Sequence, residues 1–289
     1  MMKYPYVDLH THTNLSDGTL TPQELVDLAR RNGVGVLAIT DHNSTMDLVD
    51  LRRKNPDIRL IQGAEISCLY RDGGGETREI HVVALGFDPE HPAMVELFRR
   101  SRPDRHPYIN AILGKLRGCG IDVGSYEDIQ RRFPESDHFG RLQIAKEMVR
   151  LGYVKDTDEA YDEYLGAFGR GRAYVPKSLS YTTLEETVAA ILAAGGIAVL
   201  AHLFYYSLEV AEMHRLVSYF KTLTGNRGGM ETEYTCYTRQ QRDALWTCFA
   251  EPYGLMASCA SDFHDPEDGD TLTDQFRRSC CATLLEVLL

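Results

Sequence analysis

Apolar residues fall into short runs that end on polar or titratable side chains and alternate with segments of helical period. Tyr6-Val7-Asp8-Leu9-His10, Val34-Gly35-Val36-Leu37-Ala38-Ile39-Thr40, Ile58-Arg59-Leu60-Ile61, Ile197-Ala198-Val199-Leu200-Ala201 and Gly254-Leu255-Met256-Ala257-Ser258 have the length and character of strands. Between the first two, Thr21-Pro22-Gln23-Glu24 forms a helix start, with an N-cap threonine, proline at the first helical position and an acid in the first turn. The helix is predicted to run from Leu25 to Arg31 and to stop at Asn32-Gly33. This alternation predicts βαβ units around a parallel sheet. Two stretches depart from it. Residues 65–87 read as a hairpin, Glu65–Tyr70 and Glu79–Phe87 joined by Asp72-Gly73-Gly74-Gly75. Residues from about 99 to 177 read as helical, with connections rich in Gly and Tyr and no strand.

The charge follows the same division. The net charge is −11 and the isoelectric point about 5.4, which disfavours gripping a long nucleic acid by its phosphates. Residues 99–177 carry 15 Lys/Arg against 12 Asp/Glu, while the remainder carries 16 against 30, or −14. We therefore expect a barrel formed by 1–98 and 178–289, interrupted by a less acidic helical insertion at 99–177. The 289 residues, 43% hydrophobic and 25% charged, are globular in composition, and one α/β barrel with an insertion suits that length. The longest uncharged stretch, Thr187 to Tyr206, is broken by Gly195-Gly196 and contains His202, so no membrane span is expected. The start reads directly into a strand without a secretory leader, and the seven cysteines form no CxxC pair. Both features predict a cytoplasmic protein with reduced thiols.

Candidate chemistry sits where the apolar runs end. His10-Thr11-His12 follows a strand, and residues two apart on an extended chain face the same way, so the two imidazoles form a chelate for a divalent metal. Asp262-Phe263-His264 repeats the spacing after another strand. Taken singly, each is as ordinary as a satisfied core histidine, and Asp17 before Gly18 is a common turn pair. Position adds weight. His42 closes a strand run, Glu65 follows one and His202 closes another, and C-terminal strand ends are where α/β barrels gather catalytic groups. His10, His12, His42, Glu65, His202, Asp262 and His264 are thus expected on one rim, with Asp17 in the loop after the first strand and His81 on the hairpin.

Asp8-Leu9-His10-Thr11-His12-Thr13, Ser16-Asp17-Gly18, Ile39-Thr40-Asp41-His42-Asn43, Gly63-Ala64-Glu65-Ile66-Ser67, Glu79-Ile80-His81-Val82, Ala201-His202 and Ser261-Asp262-Phe263-His264 resemble, in order and spacing, the motifs of the polymerase and histidinol phosphatase (PHP) family. The resemblance implies an α/β fold, a distorted (β/α)7 barrel, with three divalent metal ions at the strand C-terminal ends. It implies one metal on His10, His12, Glu65 and Asp262, a second on His81 and His202 with Glu65 bridging, and a third on Asp17, His42 and His264. Mn²⁺, Zn²⁺ and Fe²⁺ all suit oxygen and nitrogen donors without thiolate. Mn²⁺ is the first expectation. Asp17, Glu65, His202 and Asp262 are the expected catalytic set, and Asp41 is expected to orient an imidazole.

The implied chemistry is phosphoryl transfer to a metal-bridged hydroxide. The segments His138-Phe139-Gly140-Arg141-Leu142-Gln143-Ile144-Ala145 and Ala173-Tyr174-Val175-Pro176-Lys177 resemble parts of stand-alone PHP phosphoesterases with a helical insertion. That resemblance assigns Arg141 and Lys177 to substrate phosphate, with His138, Arg170 and Arg172 as neighbours. Leu142-Gln143 stand where the relatives usually read Pro-His, a departure that bears on whether this chain shares their substrate. The expected substrate is a small phosphorylated ribose or nucleotide, such as a nucleoside 3′,5′-bisphosphate or a ribose cyclic phosphate. The expected partners include neither a long nucleic acid nor a membrane. Alternatives are a histidinol-phosphate phosphatase, a 5′–3′ exonuclease on short RNA or DNA, a non-catalytic polymerase-accessory module and a C–N bond hydrolase.

Overall fold

Residues 5–101, 105–133, 140–166, 171–175, 181–266, 272 and 276–289 are described by the computed structural model. Its contacts divide the chain into two compact units, Met1–Ser101 with Tyr181–Leu289, and Arg102–Ser180.

Among its described residues the first unit contains eight strands: β1 (Tyr6–Asp8), β2 (Val34–Ile39), β3 (Arg59–Arg71), β4 (Thr77–Leu85), β5 (Thr182–Thr183), β6 (Ile197–Leu200), β7 (Gly228–Tyr234) and β8 (Met256–Ala260). Seven follow the order β1-β2-β3-β4-β6-β7-β8, and the short β5 pairs with β3 off this path. The ring closes beyond β1. Leu9 N donates to Cys259 O (3.0 Å), Asp262 N donates to His10 O (2.9 Å), and Thr11 pairs in parallel with Phe263. The pairs β1–β2, β2–β3, β6–β7 and β7–β8 are parallel, whereas β4 is antiparallel to both β3 and β6. One reversed strand in an otherwise parallel ring gives the expected distorted barrel.

Burial on both faces explains the apolar runs. On β6, Ile197 and Val199 join the cluster containing Val7, Val36 and Val83, while Ala198 and Leu200 join the cluster containing the helix residues Val188 and Leu216. Val83 and Leu85 of β4 alternate with Val82 and Ala84 between the same two clusters. The helix Pro22–Arg31 begins as expected, with a capping box in which Thr21 N donates to Glu24 Oε2 (2.8 Å) and Glu24 N to Thr21 Oγ1 (3.3 Å). It ends at Asn32, and Gly33 follows at φ +74°. The 187–206 stretch is the end of helix Leu184–Ala193, a glycine turn and β6. No helix among the described residues is long and apolar enough to cross a membrane.

Two strand readings need correction. The run Ile58–Ile61 and the first arm of the hairpin are one strand, β3, whose first half pairs with β2 and whose second half pairs with β4. Gly63 permits the change of partner: a Cβ there would lie 2.6 Å from Ile39 O. The second correction is β7, where no strand was expected. Gly-Gly at its start and two glutamates in seven residues hide it from a hydrophobicity pattern.

The second unit is helical, with segments Arg105–Gly118, Tyr126–Arg132, Arg141–Arg150 and Thr157–Ala160, the last running into a π turn at Tyr161–Leu165. Its core includes Ile109, Ile112, Leu116, Ile144, Met148 and Leu165. Glu147 is buried there and is held by Arg132 Nη1 (2.7 Å) and Arg150 Nη2 (2.8 Å).

Candidate metal centre

The strands deliver titratable groups to one end of the barrel, and on β3 and β4 the inward-facing row itself continues into them. Ile61 lines the interior, and two and four residues on along β3 come Gly63 and Glu65. Glu65 pairs with interior Val83, and His81 lies two residues before Val83 on the reversed strand. Val199 and Ala201 are followed directly by His202, whose positive φ takes it off the strand repeat, and Met256 and Cys259 precede Asp262 and His264. His10 and His12 follow β1 and are fully buried.

Glu65 is the centre of the arrangement. Its Oε1 lies 2.8 Å from His81 Nδ1 and 3.1 Å from His202 Nε2. Its Oε2 lies 3.0 Å from His42 Nδ1 and 3.3 Å from both His10 Nε2 and His12 Nε2. Asp262 Oδ1 completes a second focus at 3.3 Å from His10 Nε2 and 3.1 Å from His12 Nε2, and these two nitrogens are 3.1 Å apart. On the third side Asp17 faces His42 Nε2 (3.4 Å), His264 Nε2 (3.4 Å) and His12 Nδ1 (3.5 Å). Three overlapping donor groups result: His10, His12, Glu65 and Asp262; His42, Glu65 and His81; and His12, Asp17, His42 and His264. All nine expected ligands are therefore brought together, with His202 on the Glu65 oxygen that His81 also meets.

The donors fit divalent cations. Bonds of about 2.0–2.2 Å in tetrahedral or octahedral shells set neighbouring donors about 2.8–3.6 Å apart, and the separations around Asp262 and His10 lie inside that window. His202 Nδ1 is buried with no hydrogen-bond partner among the described residues, and His42 Nδ1 and Asp262 Oδ1 are buried and near their neighbours only at ion-pair distance, outside hydrogen-bond geometry. Such atoms are costly unless something else satisfies them. Charge points the same way. Burial alone would raise the Glu65 carboxyl, yet His42, His81 and His10 hold it well below the carboxylate range. Asp262 is likewise held down against burial by His10 and His12. In return, and again against burial, Asp262, Glu65 and Glu231 push His10 well above the imidazole range, and Asp262 and Glu65 push His12 up to about 10. His42 is the exception, because burial dominates and lowers it. These carboxylates require positive partners, and a cation held by these residues would take the place of the ring protons.

Two supporting residues escaped the sequence reading because β7 did. Glu231 is buried between β6 and the β1 end: its Oε1 meets His10 Nδ1 at 2.7 Å, and its Oε2 accepts from His202 N at 2.7 Å. It thereby assigns the His10 proton to Nδ1 and leaves the Nε2 lone pair facing His12. Tyr234 OH donates to Asp262 Oδ2 (2.7 Å), leaving Oδ1 for the cluster. The available signal was topological, since the barrel needs a strand between those bearing His202 and Asp262. Asp41 also differs from expectation. Its carboxylate accepts from Thr13 N (2.8 Å), Thr13 Oγ1 (2.8 Å) and Ser16 Oγ (2.6 Å), so it ties down the Asp17 loop and reaches a ring through Ser16 Oγ, 3.4 Å from His12 Nδ1. Gly18 seats that loop against His12, where a Cβ would come within 2.7 Å of backbone. His202 and Asp262 both have positive φ (26° and 55°), strained backbone at two of the expected ligand positions.

Within the second unit, Arg141 Nη1 donates to Leu165 O (3.1 Å), with its guanidinium 5.9 Å from the Tyr161 ring centroid. Arg172 lies over Tyr164 (4.4 Å) and pairs with Glu163 (3.2 Å). Lys177, His138 and Arg170 lie outside the described residues.

The PHP domain family matches residues 8–235. Among curated relatives, the chain is 34% identical over 261 residues to a 5′–3′ exoribonuclease of Haemophilus influenzae, covering 90% of both chains. It is 31% identical over 265 residues to a 3′,5′-nucleoside bisphosphate phosphatase of Chromobacterium violaceum, covering 91% of this chain and 88% of the other. A solved structure of an amidohydrolase from Chromobacterium violaceum, with bound sulfate and no metal, superposes with a TM-score of 0.79 at 28% identity, covering 98% of this chain and 95% of that one.

Proposed function

The chain belongs to the PHP family and is a metal-dependent hydrolase of phosphoric ester bonds, and on that premise we propose that it dephosphorylates a small phosphorylated ribose or nucleotide of the nucleoside 3′,5′-bisphosphate or ribose cyclic phosphate class. The observation that carries this reading is the shared donor set, in which one buried carboxylate meets five imidazoles. His10, His12, Glu65 and Asp262 would hold one cation, His81 and His202 with Glu65 a second, and Asp17, His42 and His264 a third, Mn²⁺ first among the ions that suit these donors. When bound, such cations neutralise charge building on phosphoryl oxygens and acidify water at neutral pH.

The protein's own residues supply position. Glu231 holds His10 in one tautomer, Tyr234 turns Asp262 so that one oxygen remains available, and Asp41 anchors the loop that carries Asp17. Three cations exceed what C–N hydrolysis usually needs and suit a dianionic phosphate. The filled donor set argues equally against an accessory module without activity. Arg141 and Lys177 are proposed as contacts to a second phosphate.

The exoribonuclease relative favours a second reading, release of 5′ nucleotides from short RNA. The −14 charge of the barrel segments opposes a long polyanion. Both readings are tested on the Mn²⁺-loaded protein with nucleoside 3′,5′-bisphosphates, five-membered cyclic ribose phosphates, histidinol phosphate and short 5′-phosphorylated RNA, each with an EDTA control. Chelator-sensitive phosphate release from the bisphosphate or cyclic phosphate supports the first. Nucleoside monophosphates from RNA, with the small esters untouched, transfer the assignment to the second. Silence across the panel with metal bound removes both.

A further inference from the structure

Beside the donor set lies an aromatic ring that the chemistry above does not use. Tyr205 sits on the turn Leu203–Tyr206 directly after His202 and is 54% exposed, although its neighbours on the turn are not: Leu203 is buried and Phe204 and Tyr206 pack against the core. Exposed tyrosines are common on floppy loops, but this one is fixed. Tyr205 N donates to His202 O (2.9 Å), Phe204 N donates to Tyr237 OH (3.2 Å), and Tyr206 OH donates to Ala201 O (2.9 Å) while accepting from His81 N (2.9 Å). The Tyr205 ring stacks on Tyr237 (centroids 6.0 Å, planes 27°) and stands edge-on to His202 (5.7 Å, 82°) and Tyr234 (5.7 Å, 61°). Those two neighbours lead to the cluster: His202 Nε2 is 3.1 Å from Glu65 Oε1, and Tyr234 OH is bonded to Asp262. A half-open aromatic ring held 5.7 Å from the His202 ring would offer a π-surface to the planar part of a phosphate ester bound at that rim.

We propose that Tyr205 is the stacking platform for the nucleobase of the substrate and determines the preference for nucleotides over other small phosphate esters. The proposal rests on the phosphoesterase reading above and names the part of the substrate that reading leaves open. A base of any identity stacks, so selectivity for purine or pyrimidine is weak while selectivity for a base over none is marked.

The test compares wild type, Tyr205→Ala and Tyr205→Phe, all Mn²⁺-loaded, on adenosine 3′,5′-bisphosphate and on the same bisphosphate lacking its base. Tyr205→Ala is expected to raise KM for the nucleotide about tenfold or more, the scale of a lost base–aromatic stack, with kcat and the kinetics on the abasic ester little changed. Tyr205→Phe should restore the nucleotide KM, because the ring and not the hydroxyl does the stacking. Equal losses of Tyr205→Ala on both substrates, or no loss on either, overturn the platform. So does a wild type that does not distinguish the two esters. A wild type inert on both these and the wider panel overturns the phosphoesterase reading and the platform with it.

Discussion

Glu65 and Glu147 are two glutamates with the same 1% exposure, one on the barrel rim and the other in the helical unit. Glu147 receives two guanidinium groups, Arg132 at 2.7 Å and Arg150 at 2.8 Å. Arginine is charged at every pH a protein meets, so this buried carboxylate is neutralised within its own unit. Glu65 instead meets five imidazoles within 3.3 Å, and no Lys or Arg pairs with it among the described residues. Those rings offset the carboxylate while His10 and His12 are protonated, and would offer lone pairs instead once a cation displaced their protons. The first environment is closed, and the second would be completed by a cation. Burial and residue type are identical, so the partners alone divide structure from chemistry.

The sharpest way to break that comparison is Glu65→Gln, which keeps the shape and removes the charge. Turnover should fall by orders of magnitude, and near wild-type phosphate release would dismantle the cluster assignment. Next comes the cation itself: saturating Mn²⁺ should stabilise wild type by about 4 kcal/mol at a thousandfold excess over Kd, seen as a rise in Tm that Glu65→Gln largely loses. An identical rise in both would mean that the metal binds elsewhere.

Glu231→Gln leaves every proposed ligand in place but weakens the hold on His10, so Mn²⁺ affinity should drop about 10- to 100-fold, with activity recovered at higher metal. An unaltered metal titration would reduce Glu231 to a packing residue. Arg141→Ala should lower kcat/KM by roughly 1–3 kcal/mol through KM; unchanged kinetics would make it a helix-capping contact to Leu165. The smallest effect belongs to the counterpart glutamate. Glu147→Gln should cost about 1 kcal/mol of stability and leave kcat alone, and a loss of activity there would erase the contrast with Glu65.

Much of this was legible because the features are local. A capping box and its glycine stop occupy a dozen residues, and Thr21, Glu24 and Gly33 do in the fold what their spacing predicts. His10 with His12, and Asp262 with His264, depend only on a two-residue repeat at a strand end. Glu231 was illegible for the opposite reason. It lies 221 residues from the His10 ring it holds, on a strand whose glycines and acids carry no apolar signature. Asp41 was read through its neighbour His42, but its bonds run across the barrel end to Thr13 and Ser16.

By itself the sequence determined the alternation of elements, the charge contrast between the 99–177 segment and the remainder, and which nine side chains to expect as donors. Those follow from side-chain chemistry and short spacings, which survive without a fold. Only the tertiary structure decided that one carboxylate oxygen faces His81 and His202 while the other faces His10, His12 and His42, that Glu231 and Tyr234 stand behind the ligands, and that Tyr205 is left open beside them. Each of these is a distance between residues far apart in the chain. Such distances are set by strand register, ring closure and the reversal at β4, and no local pattern encodes them.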